Sequence, residues 1–594
     1  MSADSAPTPP PPARPTLRFP CGWAALVLIP AAVFAVHGRA LEHGLFIDDW
    51  HHAEQFGRIG WSPRDLFTGL VFDYTDDIFR LWWAERPVVV KYCRPFSVAL
   101  HKLIFAVWGL DPVANHLANL IAHLAASWLV CLTAAEWFRR RDIALIAGLV
   151  FAVHPAGTVA AQFCGTLAEP VSAAWAMLSM WLMLRAVGTA GRAATAYWAG
   201  SYAACGLAVL SRENVIVLPF ALALAGLWGM PRREATSRPA VWRFAPYFAV
   251  AAGYFAVRTA LLGGFPTPPP PYYTGPADPG FAFQAGCKFL CNTSGLVLCI
   301  PWLPMLSESL LAEHWWLWPA VAAPMIALAL RMRPRLAEVP GTLFWALWIG
   351  VFSAATLPMF VSPHYLYLPM AGWAMLAAAG AVRAIERRPD LSGRVLRRLA
   401  VAGLLAAYSA GSIFGLLVLR GGFRPGILSL QDAVGRRPDY PPDAKLFLIN
   451  LNPLAHQVIP GTRLELGRPD LQGWVLTFAP DVLGPRGDLR LRRIDDHTLE
   501  VTSGGEAYFC GRLGRVLMQA TDRRPFAAGE EIVPDPARFP FRVTVVEGGP
   551  EGVRTFRFRF EKPLDSPEYV FLMGTERRFL APVEIADVPG PGDE

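Results

Sequence analysis

Charge is the scarcest ingredient of this 594-residue chain: acidic and basic residues together make up 17% of it, against 54% apolar residues. A soluble protein of this length would form several domains with polar faces, and would need more charge to cover them. Lysine is also scarce, and arginine supplies most of the 54 basic residues. The net charge of +7 does not read as a nucleic-acid surface, because much of the arginine sits in short loops between apolar runs, where membrane orientation accounts for it. Paired cysteine motifs are missing. The nine cysteines are scattered, most of them in apolar runs where they read as small core residues. Cys287 and Cys291 stand one helical turn apart, but no His or Cys pair nearby completes a zinc site. No metal site is assigned. A convincing small-residue cleavage site is also lacking, so residues 1–20, with "PTPPPPARP", are expected to be a disordered Pro-rich tail and the first apolar run a retained span.

Long apolar runs are what the chain has in quantity. Runs of roughly 18 or more apolar residues, the length that crosses a bilayer as a helix, recur along the first 420 positions. The basic loops are "FRRRD" (138–142), "PRREATSRPAVWR" (231–243), "RMRPR" (331–335) and "RAIERRPDLSGRVLRR" (383–398). Placing these in the cytoplasm gives about eleven spans: 21–38, 113–137, 141–156, 166–187, 194–211, 213–230, 241–262, 314–331, 341–360, 365–386 and 398–420. The runs 94–110 and 281–303 are read as interfacial or re-entrant helices, since a crossing by either would move a basic loop outside. The unusual polar groups then gather on the external face: the first loop (39–93), "HPAGTVAAQFCG" (154–165), Arg212 with Glu213, 263–280, and "SPHY" (362–365).

The expected organisation is a mainly α, polytopic membrane protein with a C-terminal, mainly β extracytoplasmic domain. Residues 21–420 form the membrane domain, 421–440 a linker, and 441–594 a β-rich soluble domain. The strand reading rests on period-two alternation in "AKLFLINLN", "GWVLTFAP", "LRLRRIDDHTLEVTS", "RFPFRVTVVEG" and "GVRTFRFRF", separated by Pro and Gly clusters. A mainly antiparallel sandwich or open barrel is expected.

Against this background two adjacent carboxylates, Asp48 and Asp49, stand just past the first span in "HGLFIDDWHHAEQFGRIGW". Several stretches carry a resemblance. "GLFIDDWHHAEQFG" resembles the acidic first-loop motif of GT-C glycosyltransferases. "RPFSVALHKLIFAVWGLDPVANHLANLIAHLAASWLV", "FAVHPAGTVAAQFCGTLAEPVSA", "LSRENVIVLPFAL" and "SPHYLYLPMAGW" are similar, in order, to further motifs of that class over roughly residues 20–420. The relatives it most resembles are the membrane O-mannosyltransferases that carry tetratricopeptide repeats, and their bacterial cousins. There are departures. The family's Glu after His-Pro is replaced near Val159 and Ala160, its Arg of G-R-A-E is Thr166, and its Arg before Y-L-Y is His364; no 34-residue repeat array follows the spans.

The resemblance implies a sugar donor on a polyprenyl phosphate, an external acceptor hydroxyl on a protein, lipid or glycan, and a single inverting displacement. It assigns no certain cofactor and leaves room for a divalent cation. Asp48 aligns best with the family's catalytic Asp, with Asp49 beside it; adjacent like charges raise one carboxyl toward the range of a useful base. A solvated pair of loop acids is the plain alternative. Lys91, Arg94 and Arg212 are candidates for the donor phosphate. Headgroup snorkelling of the first two, or an ion pair of Arg212 with Glu213, would serve equally well. His154, Glu169, Glu213, His364 and Tyr365 are candidate donor or acceptor contacts. His116, Asn119 and His123 share one helical face, where interhelical hydrogen bonds are commoner than metal binding. Arg over Lys, with much Ala, Pro and Gly, points to a bacterial source, hence the cytoplasmic (inner) membrane. Rival classes are a transporter or flippase and a non-catalytic scaffold. A transporter calls for broken helices in two corresponding halves and midplane charge, and the charges here gather at one face.

Overall fold

The computed structural model describes residues 22–73, 80–85, 87–230, 239–263, 273–297, 314–339, 341–359, 361–386, 391–436, 440–480 and 489–590, except for 512, 513, 515, 516, 519, 520, 522 and 576–578. The Pro-rich tail lies outside these residues, as do most of "PRREATSRP", the centre of 263–280 and the end of 281–303. Among the described residues six helical stretches are long and apolar enough to cross a membrane: Gly22–Glu42, Pro112–Phe138, Cys164–Val187, Val241–Leu262, Pro363–Glu386 and Ser392–Val434. A seventh would be the pair Arg141–Val153 and Pro155–Gln162, which turns by 52°. The break falls at His154-Pro155, where proline removes a helical N–H and pushes aside the preceding turn. The expected spans 213–230, 314–331 and 341–360 correspond to shorter apolar helices, Glu213–Gly229, Trp318–Arg331 and Thr342–Ala354. The run 94–110 forms a short helix, Pro95–Trp108.

The helices pack through small residues, which lets backbones approach where lipid offers no hydrophobic drive. A Cβ on Gly148 would meet Ile29 Cδ1 at 2.7 Å and Cys131 Cβ at 2.9 Å; one on Gly372 would meet Trp345 O at 2.8 Å. Ser201 Oγ donates to Ser179 O at 2.7 Å and lies 2.5 Å from Tyr247 Oη, joining three helices. The cysteines fit this picture: Cys93, Cys131, Cys164, Cys205, Cys287 and Cys291 are all buried. At one end of the bundle the basic loops meet, with Arg140 paired to Glu386 and Arg383 donating to Glu338 O at 3.2 Å.

The first loop has a fold of its own. Helices Asp48–Arg58 and Pro63–Thr68 lead into an antiparallel pair, β1 (Leu70–Asp73) and β2 (Val89–Tyr92), in register Leu70↔Tyr92. Between these strands, Leu81, Trp82 and Trp83 leave the membrane domain and enter the hydrophobic core of the C-terminal domain. Trp82 Nε1 donates to Leu476 O at 3.0 Å, and its ring meets Phe556 and Phe558 edge-on.

The C-terminal region is β-rich but not mainly antiparallel throughout. One five-stranded sheet is antiparallel, in the order β5-β6-β9-β8-β7: Leu489–Asp495, Thr498–Ser503, Gly552–Phe560, Phe541–Gly549 and Glu531–Ile532. The other has the order β11-β10-β3-β4: Ala581–Pro582, Tyr569–Met573, Lys445–Ile449 and Gln472–Val475. In it β10, β3 and β4 run parallel, because helix Val458–Leu466 carries the chain from β3 back to β4. The short buried run "KLFLI" marks a strand covered on both faces, where parallel pairing is at home. The stretch 421–440, expected as a linker, is helical as far as Val434. Its Gly and Pro do not end the helix, because the helix is supported against the C-terminal domain: Gly426 lies so close that a Cβ would collide with Gln457 Nε2 and Leu454 O.

Trp82 and Trp83 are 2% and 1% exposed, so truncation empties a packed site. Trp82→Ala is expected to cost about 3–5 kcal/mol. The loop should then become accessible to protease between β1 and β2, and the first thermal transition of the purified protein should fall.

Candidate active site

Asp48 and Asp49 open the helix Asp48–Arg58, and the chain enters it through strain. Ile47 has φ 50° and ψ −117°, a conformation that a β-branched residue adopts at a cost of about 1–3 kcal/mol. The hydrogen bonds of the Asp49 carboxylate offset this strain. Asp49, 1% exposed, accepts the Phe46 N–H at 3.0 Å and the Gly165 N–H at 2.6 Å. One carboxylate therefore ties the first loop to the turn after the bent helix pair. Gly165 is closely packed: a Cβ there would meet Phe163 Cζ at 3.2 Å and touch Asp48 Cβ and Asp49 Oδ1 at 3.4 Å. Asp48 is half-buried and, among the described residues, its carboxylate accepts no hydrogen bond. Burial pushes the Asp48 carboxyl up to about 6. Burial pushes Asp49 up to about 8, against the two N–H donors that favour its charge and with Asp48 adding to the rise.

Beside the acids lies a cluster of charges drawn from four segments. Arg94, just after β2, donates through Nε to Glu213 at 2.7 Å, and its guanidinium lies 4.2 Å from the centroid of the Tyr92 ring. Glu213 also accepts the Cys93 N–H at 2.5 Å. Burial works against the Arg94 charge, but Glu213 and Tyr92 outweigh it and hold the guanidinium above its ordinary range. Arg94 Nη1 and Nη2 make no hydrogen bond among the described residues. Arg212 and Glu169 form an ion pair that is 4% and 2% exposed. The Arg212 guanidinium lies 5.5 Å from the Tyr365 ring centroid. His364, its Nδ1 held 2.6 Å from Ser362 Oγ, brings Nε2 to 3.8 Å from the same Glu169.

The structure thus gathers Asp48, Asp49, Arg94, Arg212, Glu213, Glu169, His364 and Tyr365. Two of the sequence candidates point elsewhere. Lys91 Nζ donates to Leu262 O at 3.0 Å and closes the end of the helix Ala245–Leu262. His154 has both ring nitrogens engaged, Nδ1 with the Ala156 N–H at 3.1 Å and Nε2 with Leu296 O at 2.9 Å. His123 bonds Tyr367 Oη at 2.5 Å, and His116 lies 3.3 Å from Cys164 Sγ. Among the described residues no three His, Cys, Asp or Glu side chains gather so as to hold a metal ion. Sequence reading missed Tyr92 and Gly165. Tyr92 sits two residues before the Arg in "KYCRP", and Gly165 is the smallest residue in "FCGT", but neither carries a signal of chemistry by itself.

Residues 93–255 match the sequence pattern of the family described as dolichyl-phosphate-mannose-protein mannosyltransferase. This segment holds Arg94, Glu169, Arg212 and Glu213. What the helices and the matched segment define is a multi-pass membrane protein resembling glycosyltransferases of the GT-C class. Among particular relatives, the chain is 42% identical over 67 residues to protein O-mannosyl-transferase Tmtc1 of Drosophila melanogaster, covering 11% of this chain and 8% of the relative. It is 30% identical over 151 residues to human protein O-mannosyl-transferase TMTC1, covering 25% and 16%. The matched stretches are thus a small part of these relatives' own length. ArnT from Cupriavidus metallidurans, solved with undecaprenyl phosphate, superposes with a TM-score of 0.44 at 17% identity, covering 77% of this chain and 86% of that one. The Archaeoglobus fulgidus oligosaccharyltransferase superposes at 0.40 with 11% identity, covering 76% and 63%. Both superpositions are loose.

The two acids should separate in a stability measurement. Asp49→Asn replaces one acceptor oxygen by an amide that cannot accept an N–H, leaving a buried donor unpaired, and should cost about 1–3 kcal/mol. Asp48→Asn removes no bond and takes away a buried charge that costs stability above about pH 6, so it should not lower the thermal midpoint of the purified protein.

Proposed function

We propose that this protein is a membrane glycosyltransferase that moves a sugar from a polyprenyl-phosphate donor to an external acceptor hydroxyl by an inverting single displacement. The observation that carries the reading is Asp48: a carboxylate raised by burial toward neutral pH, free of hydrogen bonds among the described residues, and within electrostatic reach of the same Tyr92 that Arg94 and Arg212 act on. In this reading the acceptor oxygen attacks the anomeric carbon and gives its proton to Asp48. The bond from that carbon to the donor phosphate breaks, and the phosphate leaves with the electron pair. Asp49 positions the base through Phe46 and Gly165. Arg94 receives the developing phosphate charge, because Nε is held by Glu213 while both terminal nitrogens remain to form a forked contact. Arg212 is the second cation, held in line by Glu169, with His364 adjoining the same carboxylate. The site and the C-terminal domain are proposed to face outward from a bacterial inner membrane, with 21–420 as the catalytic unit.

Two measurements test this. Asp48→Asn, assayed with polyprenyl-phosphate sugars, should abolish transfer while the protein stays folded in the membrane. Wild-type kcat/KM should fall as pH drops through about 6, because protonation removes the base. The same raised pKa has the opposite sign for stability: its contribution is full below the ordinary carboxylate range and is lost as pH rises through about 6. Wild-type turnover in Asp48→Asn would end the proposal.

The phosphate assignment has its own test. Arg94→Ala should raise the barrier by about 2–4 kcal/mol, as loss of an oxyanion donor does. Arg94→Lys should not rescue it, since a point charge lacks the fork. Unchanged kcat in Arg94→Ala would move the phosphate to Arg212.

A further inference from the structure

The bend at His154-Pro155 strips backbone groups of their helical partners, and side chains from other helices replace them. Pro155 has no N–H to give, and the Ala156 N–H turns to His154 Nδ1 at 3.1 Å. The Ala152 carbonyl, which Ala156 would have bonded in an unbroken helix, instead lies 3.2 Å from His37 Nε2 and 3.1 Å from His123 Nε2. A carbonyl oxygen only accepts, so each imidazole carries its proton on Nε2. The Nδ1 atoms then accept, from Gln162 Nε2 at 3.1 Å in His37 and from Tyr367 Oη at 2.5 Å in His123. Ser412 Oγ donates to Val153 O at 2.8 Å. His37, His123, Gln162 and Ser412 are all fully buried, so these bonds are made away from water.

The segment after the bend is held in the same way, and it ends at the acids. Asn119, 1% exposed and on the helix Pro112–Phe138, donates through Nδ2 to Ala160 O at 3.1 Å and to Phe163 O at 2.6 Å. Thr166 Oγ1 donates to Val159 O at 3.1 Å and to Phe163 O at 2.7 Å, bonds made within the turn itself. Thr166 thus shapes the turn, whereas Asn119 fixes where it lies against a neighbouring helix; His116, 3.3 Å from Cys164 Sγ, adds to the same hold. The Gly165 N–H that meets Asp49 at 2.6 Å comes next. A closed ring results. From His37 the chain runs through Gly38–Glu42 to Asp48 and Asp49, Asp49 bonds Gly165, the chain runs back from Gly165 to Gln162, and Gln162 bonds His37. Asn119 pins the return limb of this ring, at Phe163, to the helix Pro112–Phe138.

We infer that Asn119 is a positioning residue for the acid pair: it places the turn that gives the Gly165 N–H to Asp49, and through Asp49 it sets the position of Asp48. The group at this point must be a donor, since a carboxylate or an apolar side chain of the same size offers neither carbonyl an N–H. The word positioning rests on the transferase reading of Asp48; the link from Asn119 to the Asp49 bond does not.

Two variants test it in the full-length protein in nanodiscs. Asn119→Leu removes both bonds at similar side-chain size, and Gln162→Met removes the tie to His37. Hydrogen exchange followed by mass spectrometry reads the joint directly and needs no turnover. Peptides containing Gly165 should exchange about tenfold faster in Asn119→Leu than in the wild type, as the amide leaves Asp49, while peptides from the helix Gly191–Ser211 are unchanged. Gln162→Met should shift the Gly165 peptides in the same direction, and it carries the test if Asn119→Leu does not fold. With polyprenyl-phosphate sugars, kcat of Asn119→Leu should fall about tenfold with KM within about twofold of the wild type. The loss should not multiply with that of Asp49→Asn: the double variant should be no slower than the slower single one, since both act on one bond. A merely structural Asn119 would lower the thermal midpoint and leave exchange at Gly165 and kcat where they are. A wild type that transfers no sugar sinks the transferase reading alone, and exchange still decides the link to Asp49. Unchanged exchange around Gly165 in both variants, wild-type kcat in an Asn119→Leu protein that folds, or losses that multiply with Asp49→Asn would each overturn the inference.

Discussion

The carboxylate of Asp49 is the joint on which the site depends. It accepts one backbone N–H from the strained approach to its own helix and one from Gly165, more than a hundred residues on. It ties the start of helix Asp48–Arg58 to the turn that leads into Glu169, alongside the stacking of Phe46 on Phe163. Asp48, one residue earlier, is left open because Asp49 makes the structural bonds. The two neighbours are chemically identical and play different parts, and the division follows from which oxygens meet buried donors.

The charge cluster follows from the same geometry. Once the first loop is fixed, β2 delivers Arg94 to Glu213, while the turn after Gly165 delivers Glu169 to Arg212. Arg94 and Arg212 each have a carboxylate, as low dielectric favours: an unpaired buried charge would cost several kcal/mol. Asp48 is then the charge left over, and its burial raises its proton affinity. The pairing also explains why His364 can stand where the resembled family has Arg. Its imidazole approaches a Glu169 that Arg212 already neutralises, so a third full cation is not needed there.

The C-terminal domain is not an appendage. Trp82 and Trp83 of the first loop complete its core, Arg523 bonds Glu85 at 2.9 Å, and Arg463 reaches Glu54. The loop that carries the acids is therefore held at both its ends and through its middle. The helix that Asp48 opens is thus tied to the C-terminal domain through its Glu54.

Much of this was legible in the sequence. The apolar runs, the basic loops, the acidic pair after the first span and the gathering of polar groups at one face are consequences of local composition, because a bilayer sorts side chains by transfer energy alone. Period-two patterning gave the strands of the C-terminal region for the same reason. Pairing was not local. Nothing in "LWWAE" says that its tryptophans fill another domain, and nothing in "KLFLI" separates a parallel from an antiparallel neighbour. Asp48 and Asp49 are alike as letters, and Lys91 and Arg94 look equally placed for a phosphate. Only the tertiary structure turned Lys91 to the Leu262 carbonyl and Arg94 to Glu213, and gave Asp49 its two N–H donors. The sequence determined which groups would be driven from water and which kept near it; the fold decided which of them meet, because hydrogen bonds and ion pairs depend on distances that no stretch of chain contains by itself.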